Sequence, residues 1–149
     1  MKRTIKTSLL FVLLAACMAG MSCGNDDNPL APSSLAGTWK LVTFTNKTDN
    51  FTATAGQPVD VGGGVIVTVT GTSVLTETRY DFTITQITEI PGLPSQTDEF
   101  KSAGTYSVNG STMTATDDGT GEVTTFTMSR SGNRLTLENA ESKTVWDKQ

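Results

Sequence analysis

The chain has 149 residues, 11 basic against 15 acidic side chains, a net charge of −4 and no histidine. That length leaves room for one domain behind any targeting segment, and an acidic chain without a Lys/Arg cluster excludes a polyanionic partner such as nucleic acid. Without histidine the chain lacks the commonest metal ligand and the commonest general base near neutral pH, so no metal, cofactor or enzymatic activity is expected.

The charge is unevenly spread. Lys2, Arg3 and Lys6 precede Leu9, whereas every acid lies at or beyond Asp26, which leaves eight bases against 15 acids in the body of the chain. The basic tip runs into Leu9-Leu10-Phe11-Val12-Leu13-Leu14-Ala15-Ala16 and then small residues, the layout of a secretory signal. This apolar run falls short of the ~20 residues a spanning helix needs. Both cysteines of the protein follow it, Cys17 and Cys23. Leu14-Ala15-Ala16-Cys17 resembles the bacterial lipobox, and Gly20-Met21-Ser22-Cys23 is similar to it, with Gly in the aliphatic position. Gly24-Asn25-Asp26-Asp27-Asn28-Pro29 turns polar at once, as a tether leaving a membrane should, and resembles the acidic stretch of surface-directed lipoproteins in Bacteroidota-type bacteria. This favours Cys23 as the lipidated residue, with Cys17 as the alternative. A disulfide is poorly supported, because both cysteines lie in or beside the leader.

The resemblance implies a lipoprotein signal over 1–22, a flexible tether over 23–34 and a domain over 35–149. It also implies a membrane partner reached through N-terminal acyl chains, several of which anchor stably where one is marginal. Neither cysteine is followed directly by the Asp that in the enterobacterial pattern retains lipoproteins at the inner membrane. The implied location is therefore the bacterial envelope, at the outer membrane.

Threonine is the most frequent residue and alternates with Val, Ile, Phe and Tyr, a pattern that suits half-wet strands. The first strand is expected over 37–45. Trp39 and Leu41 fall on one of its faces and Val42 and Phe44 on the other, so either a bulge separates them or both faces are covered. A weak segment covers 51–61. After Gly62-Gly63-Gly64, residues 65–70 place Val65, Val67 and Val69 on one face. A long run from Val74 to Ile90 turns Tyr80, Phe82 and Ile84 inward, and its length predicts a bend near Gln86-Ile87. Beyond the loop Pro91–Ser95, residues 99–108 align Phe100, Tyr106 and Val108. Asn109-Gly110 signals a type I′ hairpin into 111–116. Asp118-Gly119 turns into 122–129, which carries Phe126 and Met128. Ser131-Gly132-Asn133 turns into 134–138, and a last strand over 143–147 holds Trp146. Eight or nine strands in hairpin order must close or stack to hide their edges.

Leu35-Ala36-Gly37-Thr38-Trp39-Lys40-Leu41 resembles the opening Gly-x-Trp strand of the calycin group, particularly small bacterial lipocalin-like domains. Gly104-Thr105-Tyr106 and Asn133-Arg134-Leu135-Thr136-Leu137 are also similar to that group. The resemblance spans Leu35 to Lys148. It implies an all-β, antiparallel up-and-down barrel with Trp39 as a structural plug at its closed end. The Thr-Asp-Tyr loop of transport-type lipocalins is missing, and Lys148 is a loose stand-in for their basic residue after the last strand.

No Ser-x-x-Lys or Gly-x-Ser-x-Gly pattern occurs, so nucleophilic catalysis finds no support. Asp117-Asp118-Gly119-Thr120-Gly121 lacks the ligand spacing of a calcium loop and reads as a turn. Gly62-Gly63-Gly64 is accompanied by neither a Lys nor a helix to cradle phosphate. Two functions remain. In the first, the barrel holds a small hydrophobic molecule among Tyr80, Phe82, Ile84, Phe100, Tyr106, Phe126 and Met128, since eight-stranded barrels can just admit a ligand. In the second, a structural lipoprotein docks its barrel on another envelope protein.

Overall fold

The computed structural model describes residues 30–149. Both cysteines, the segment 1–22 and the first part of the tether lie outside the described residues. Alternating Thr and apolar residues become strand nearly throughout: β1 (Gly37–Asn46), β2 (Phe51–Thr54), β3 (Pro58–Asp60), β4 (Ile66–Leu75), β5 (Arg79–Glu89), β6 (Gln96–Asn109), β7 (Thr112–Asp117), β8 (Val123–Ser131), β9 (Arg134–Glu138) and β10 (Ser142–Lys148). One helical turn, α1 (Pro32–Leu35), precedes them.

From β4 to β10 each strand pairs antiparallel with the next. The meander closes when β10 pairs with β1, and β1 pairs with β4 through Gly37–Lys40 against Thr72–Leu75. Eight strands thus form a closed up-and-down barrel, the fold that the resemblance implies. Closure satisfies edges that an open sheet of this size would leave exposed. Beyond Lys40 the seam parts, and β2 and β3 line its two lips. There the Ala55 N–H donates to Val42 O and the Gly56 N–H to Val69 O, each at 2.8 Å, so one stretch of backbone bridges the gap.

The parity conflict in β1 resolves as a bulge. The register with β10 shifts between Leu41 and Thr43, leaving Val42 as the extra residue. Leu41 faces Trp146, and Phe44, opposite Thr144, then returns to the inner face.

Two expected features differ. β5 continues straight through Gln86-Ile87, and the long run is instead cut at Thr76–Thr78, where β4 ends and β5 begins. The Thr76 Oγ1 accepts from the Arg79 N–H at 3.0 Å and so replaces the Gly or Asn that usually marks a turn. The β6–β7 turn is also one residue later than its Asn-Gly signal suggests. Asn109 pairs with Thr112, and Gly110, at φ +58°, leads a two-residue loop in the glycine-first manner of a II′ turn.

The closed end is built around Trp39, which is fully buried. Its Nε1–H donates to Leu35 O at 2.8 Å. Leu35 is buried as well, so α1 acts as a lid over this end. The Arg130 guanidinium and Lys148 ammonium each lie 5.6 Å from the Trp39 ring centroid, in range of cation–π attraction. Both also donate to the Ser34 carbonyl, at 2.7 and 3.1 Å. Trp39 thus fills the closed end, with Arg130 and Lys148 bracing it. Residues Leu30 to Ser34, read from the sequence as tether, are docked on the barrel, with Leu30 packed against the core.

Most outward positions are polar, as with the exposed Arg79, Asp81, Lys101, Thr105 and Thr127, with Val74 among the exceptions. An apolar interior with a polar exterior is the reverse of a barrel whose outer face meets lipid.

Candidate functional site

Inside the barrel lies a cavity of about 640 Å³. Trp39, Leu75, Met113, Leu135 and Trp146 are among the apolar residues of its wall. Inward alternation on successive strands supplies them, because every second side chain of a strand faces the same way. The cavity opens at the end away from α1, where Phe44, Thr120, Glu122, Val123 and the loop Asn139–Ser142 form its rim.

The mouth owes its shape to unequal strand lengths. β6 begins at Gln96, but β7 joins it only from Gly104. The outer part of β6, Gln96–Ser102, therefore pairs with β5 alone and leaves a free strand edge beyond β7, while the outer part of β5 stays paired to β4 on its other side. Phe100 sits on this outer part of β6 opposite Ile84, on the same face.

The residues expected to line the interior consequently divide. Tyr80, Phe82, Ile84 and Phe126 all border the cavity, and the Tyr80 and Phe82 rings stack at 6.2 Å. Tyr106 and Met128 are buried but pack in the solid core outside the cavity wall. Tyr106 O–H donates to Thr76 O at 2.5 Å and fastens the β4–β5 turn; burial, and then the nearby Glu77 charge, push its phenol up to about 12. Phe100 is 53% exposed and is not an enclosed interior residue. Its alternation with Tyr106 is right, but β7 is too short to cover it.

A polar stripe missing from the sequence reading crosses the wall. Tyr80 Oη lies 3.0 Å from Ser102 Oγ, and the Ser102 hydroxyl donates to Asp117 Oδ2 at 2.5 Å. Asp117 Oδ1 accepts from the Gly119 and Thr120 N–H groups, each at 2.8 Å, and from Thr120 Oγ1 at 3.1 Å. The Ser102 hydroxyl foremost, and then the Thr120 N–H, hold the Asp117 carboxyl below its ordinary range. Asp117 thus caps its turn and borders the cavity at once. Ser73, 8% exposed, also lines the cavity.

No family model matches the chain, and no curated protein is similar to it at a significant level. Two solved structures are similar in fold. A lipocalin-like protein from Bacteroides uniformis is 16% identical, with a TM-score of 0.45, over 77% of this chain and 98% of its own. An uncharacterized protein from Bacteroides eggerthii is 12% identical, with a TM-score of 0.46, over 76% of this chain and 98% of its own.

Proposed function

We propose that this chain is a lipid-anchored envelope protein whose barrel takes up one small apolar or amphipathic molecule through its open end, without catalysing a reaction. The observation that carries the binding half is the cavity itself, about 640 Å³ of largely apolar-walled space, within the range of ligand pockets. The signal-like leader and its lipobox-like cysteines support the anchoring half. With Cys23 acylated, seven steps of chain separate the lipid from Leu30, a reach of roughly 23 Å at 3.3 Å per residue. α1 packs over the closed end, which supports a tether joining the barrel there and a mouth directed away from the bilayer.

Protein isolated from its own membranes and then denatured should release a small amphipathic molecule besides the acyl chains of its anchor. Ala115→Phe, which directs a ring into the cavity, should lower that yield. Empty protein that takes up no fluorescent lipid analogue would refute the binding reading. One observation favours the alternative of docking on an envelope protein: the outer part of β6 carries exposed Phe100 on an unpaired strand edge. Crosslinking in cells at position 100 tests it.

A further inference from the structure

We infer that the polar end of the ligand is a cation, so that the cavity selects amphipathic amines over neutral or anionic molecules with the same tail. This deepens the binding reading above and rests on it.

Hydrogen-bond direction along the wall is the first support. An ionised carboxylate only accepts, so the Ser102 hydroxyl gives its single proton to Asp117. That leaves Ser102 Oγ as the acceptor for Tyr80, whose O–H must point at it across 3.0 Å. The chain therefore ends on Tyr80 Oη with its proton committed and its lone pairs left over. Tyr80, Ser102 and Asp117 together offer a ligand no hydrogen, only acceptors.

The charges bordering the cavity agree. Asp117, Glu122 and Glu141 line it, and among the described residues no Lys or Arg does. Several basic residues elsewhere in the barrel are occupied: Arg79 pairs with Asp118, and Lys47 and Lys143 both pair with Glu138. Glu122 and Glu141 form no ion pair among the described residues.

Ser73 supplies an independent sign of a ligand. It is more than nine-tenths buried and borders the cavity, and its hydroxyl makes no hydrogen bond with any described residue. Among the described residues no fully enclosed side-chain polar atom lacks a partner, so the Ser73 hydroxyl, unpaired within the protein, is reached from the cavity and takes its partner from what fills it. Because Ser73 both donates and accepts, it tolerates an amine, whereas the carboxylates repel an anion.

Trp39 and Trp146, the two tryptophans of the chain, both line the cavity, so intrinsic fluorescence reports its occupancy. The full chain, held in amphipol, is titrated at neutral pH with decylamine, decanol and decanoate, which differ only in the head group. Decylamine should bind about tenfold more tightly than decanol, the size of effect one well-placed charge-assisted hydrogen bond supplies, and decanoate should bind most weakly. The double variant Glu122→Gln/Glu141→Gln should bring the amine-to-alcohol affinity ratio down towards one. Equal binding of all three probes, or preference for decanoate, overturns the amine assignment while the cavity reading stands. No fluorescence response to any probe overturns the cavity reading itself.

Discussion

Removing the Trp39 side chain should cost this barrel a large part of its stability. Trp→Ala in a packed site typically loses about 3–5 kcal/mol, and Trp39 is fully buried among Leu35, Leu41 and other core side chains. The change also strips Leu35 O of its donor at 2.8 Å and takes the aromatic face from Arg130 and Lys148. A domain this size has about 5–15 kcal/mol in all, so a loss of ~4 kcal/mol removes a quarter or more. With a Tm shift of roughly 3–6 °C per kcal/mol for a domain of intermediate size, Trp39→Ala should melt about 12–24 °C below the parent. Trp39→Phe keeps most of the apolar bulk and loses the indole N–H. It should cost about 1–3 kcal/mol, the penalty of leaving a buried acceptor unpaired. Far-UV circular dichroism follows the melt without relying on the deleted chromophore. A Trp39→Ala protein melting within about 3 °C of the parent would show that the closed end is held by something other than this plug.

Gly104→Ala should be severely destabilising, because a Cβ there would lie 1.9 Å from Thr116 O and 3.0 Å from Tyr80 Cε1; overpacking of this kind costs about 1–3 kcal/mol or more, read as a fall in the urea midpoint. Tyr106 sets an alkaline limit. Its phenol holds its proton up to about 12 in the folded state but loses it near 10 when unfolded. This contribution is complete below pH 10 and is lost as pH rises to 12, on the order of 2–3 kcal/mol. Denaturation at stepped pH should show that Tyr106→Phe, although weaker at neutral pH for want of its bond to Thr76 O, loses less stability across the window than the parent; parallel losses refute the assignment. Metabolic labelling with a tagged fatty acid should mark the protein, and Cys23→Ser should abolish the label while Cys17→Ser preserves it; the opposite pattern moves the anchor to Cys17.

Alternation along single strands was enough to anticipate most of the barrel. The β1 bulge is legible because Trp39 and Leu41 fall out of phase with Phe44, yet all three point inward, Trp39 and Phe44 onto the cavity wall and Leu41 into the buried core. The same signal marks the β4–β5 turn more faithfully than composition does: the inward set is odd-numbered through Leu75 and even-numbered from Tyr80, a flip that one straight strand cannot make. Phe100 escapes such reasoning, since its exposure depends on where β7 begins to cover β6, a property of register between strands. The Tyr80–Ser102–Asp117 stripe is hidden for the same reason, as three strands and the barrel's shear bring it together. The docking of α1 had a local cue in Pro32 at the first helical position, but the Pro- and Ser-rich composition around it reads as spacer.

The two ends of the barrel are built differently, one sealed and one open. At the closed end an indole, a helical turn and two cations meet with the indole N–H paired, and burial there holds the first and last strands together. At the open end the strands stop at different levels, and the charged side chains that border the lumen are carboxylates, with no cationic partner on its wall among the described residues. A core packed uniformly to both ends would gain apolar burial, at about 25 cal/mol per Å², from the wall that the cavity leaves bare. Forgoing that burial at one end, while sealing the other, is the arrangement that the proposed uptake of a ligand requires. The seam between β1 and β4 points the same way. Where the strands part beyond Lys40, backbone from Ala55 and Gly56 closes the wall, so the opening is confined to the mouth.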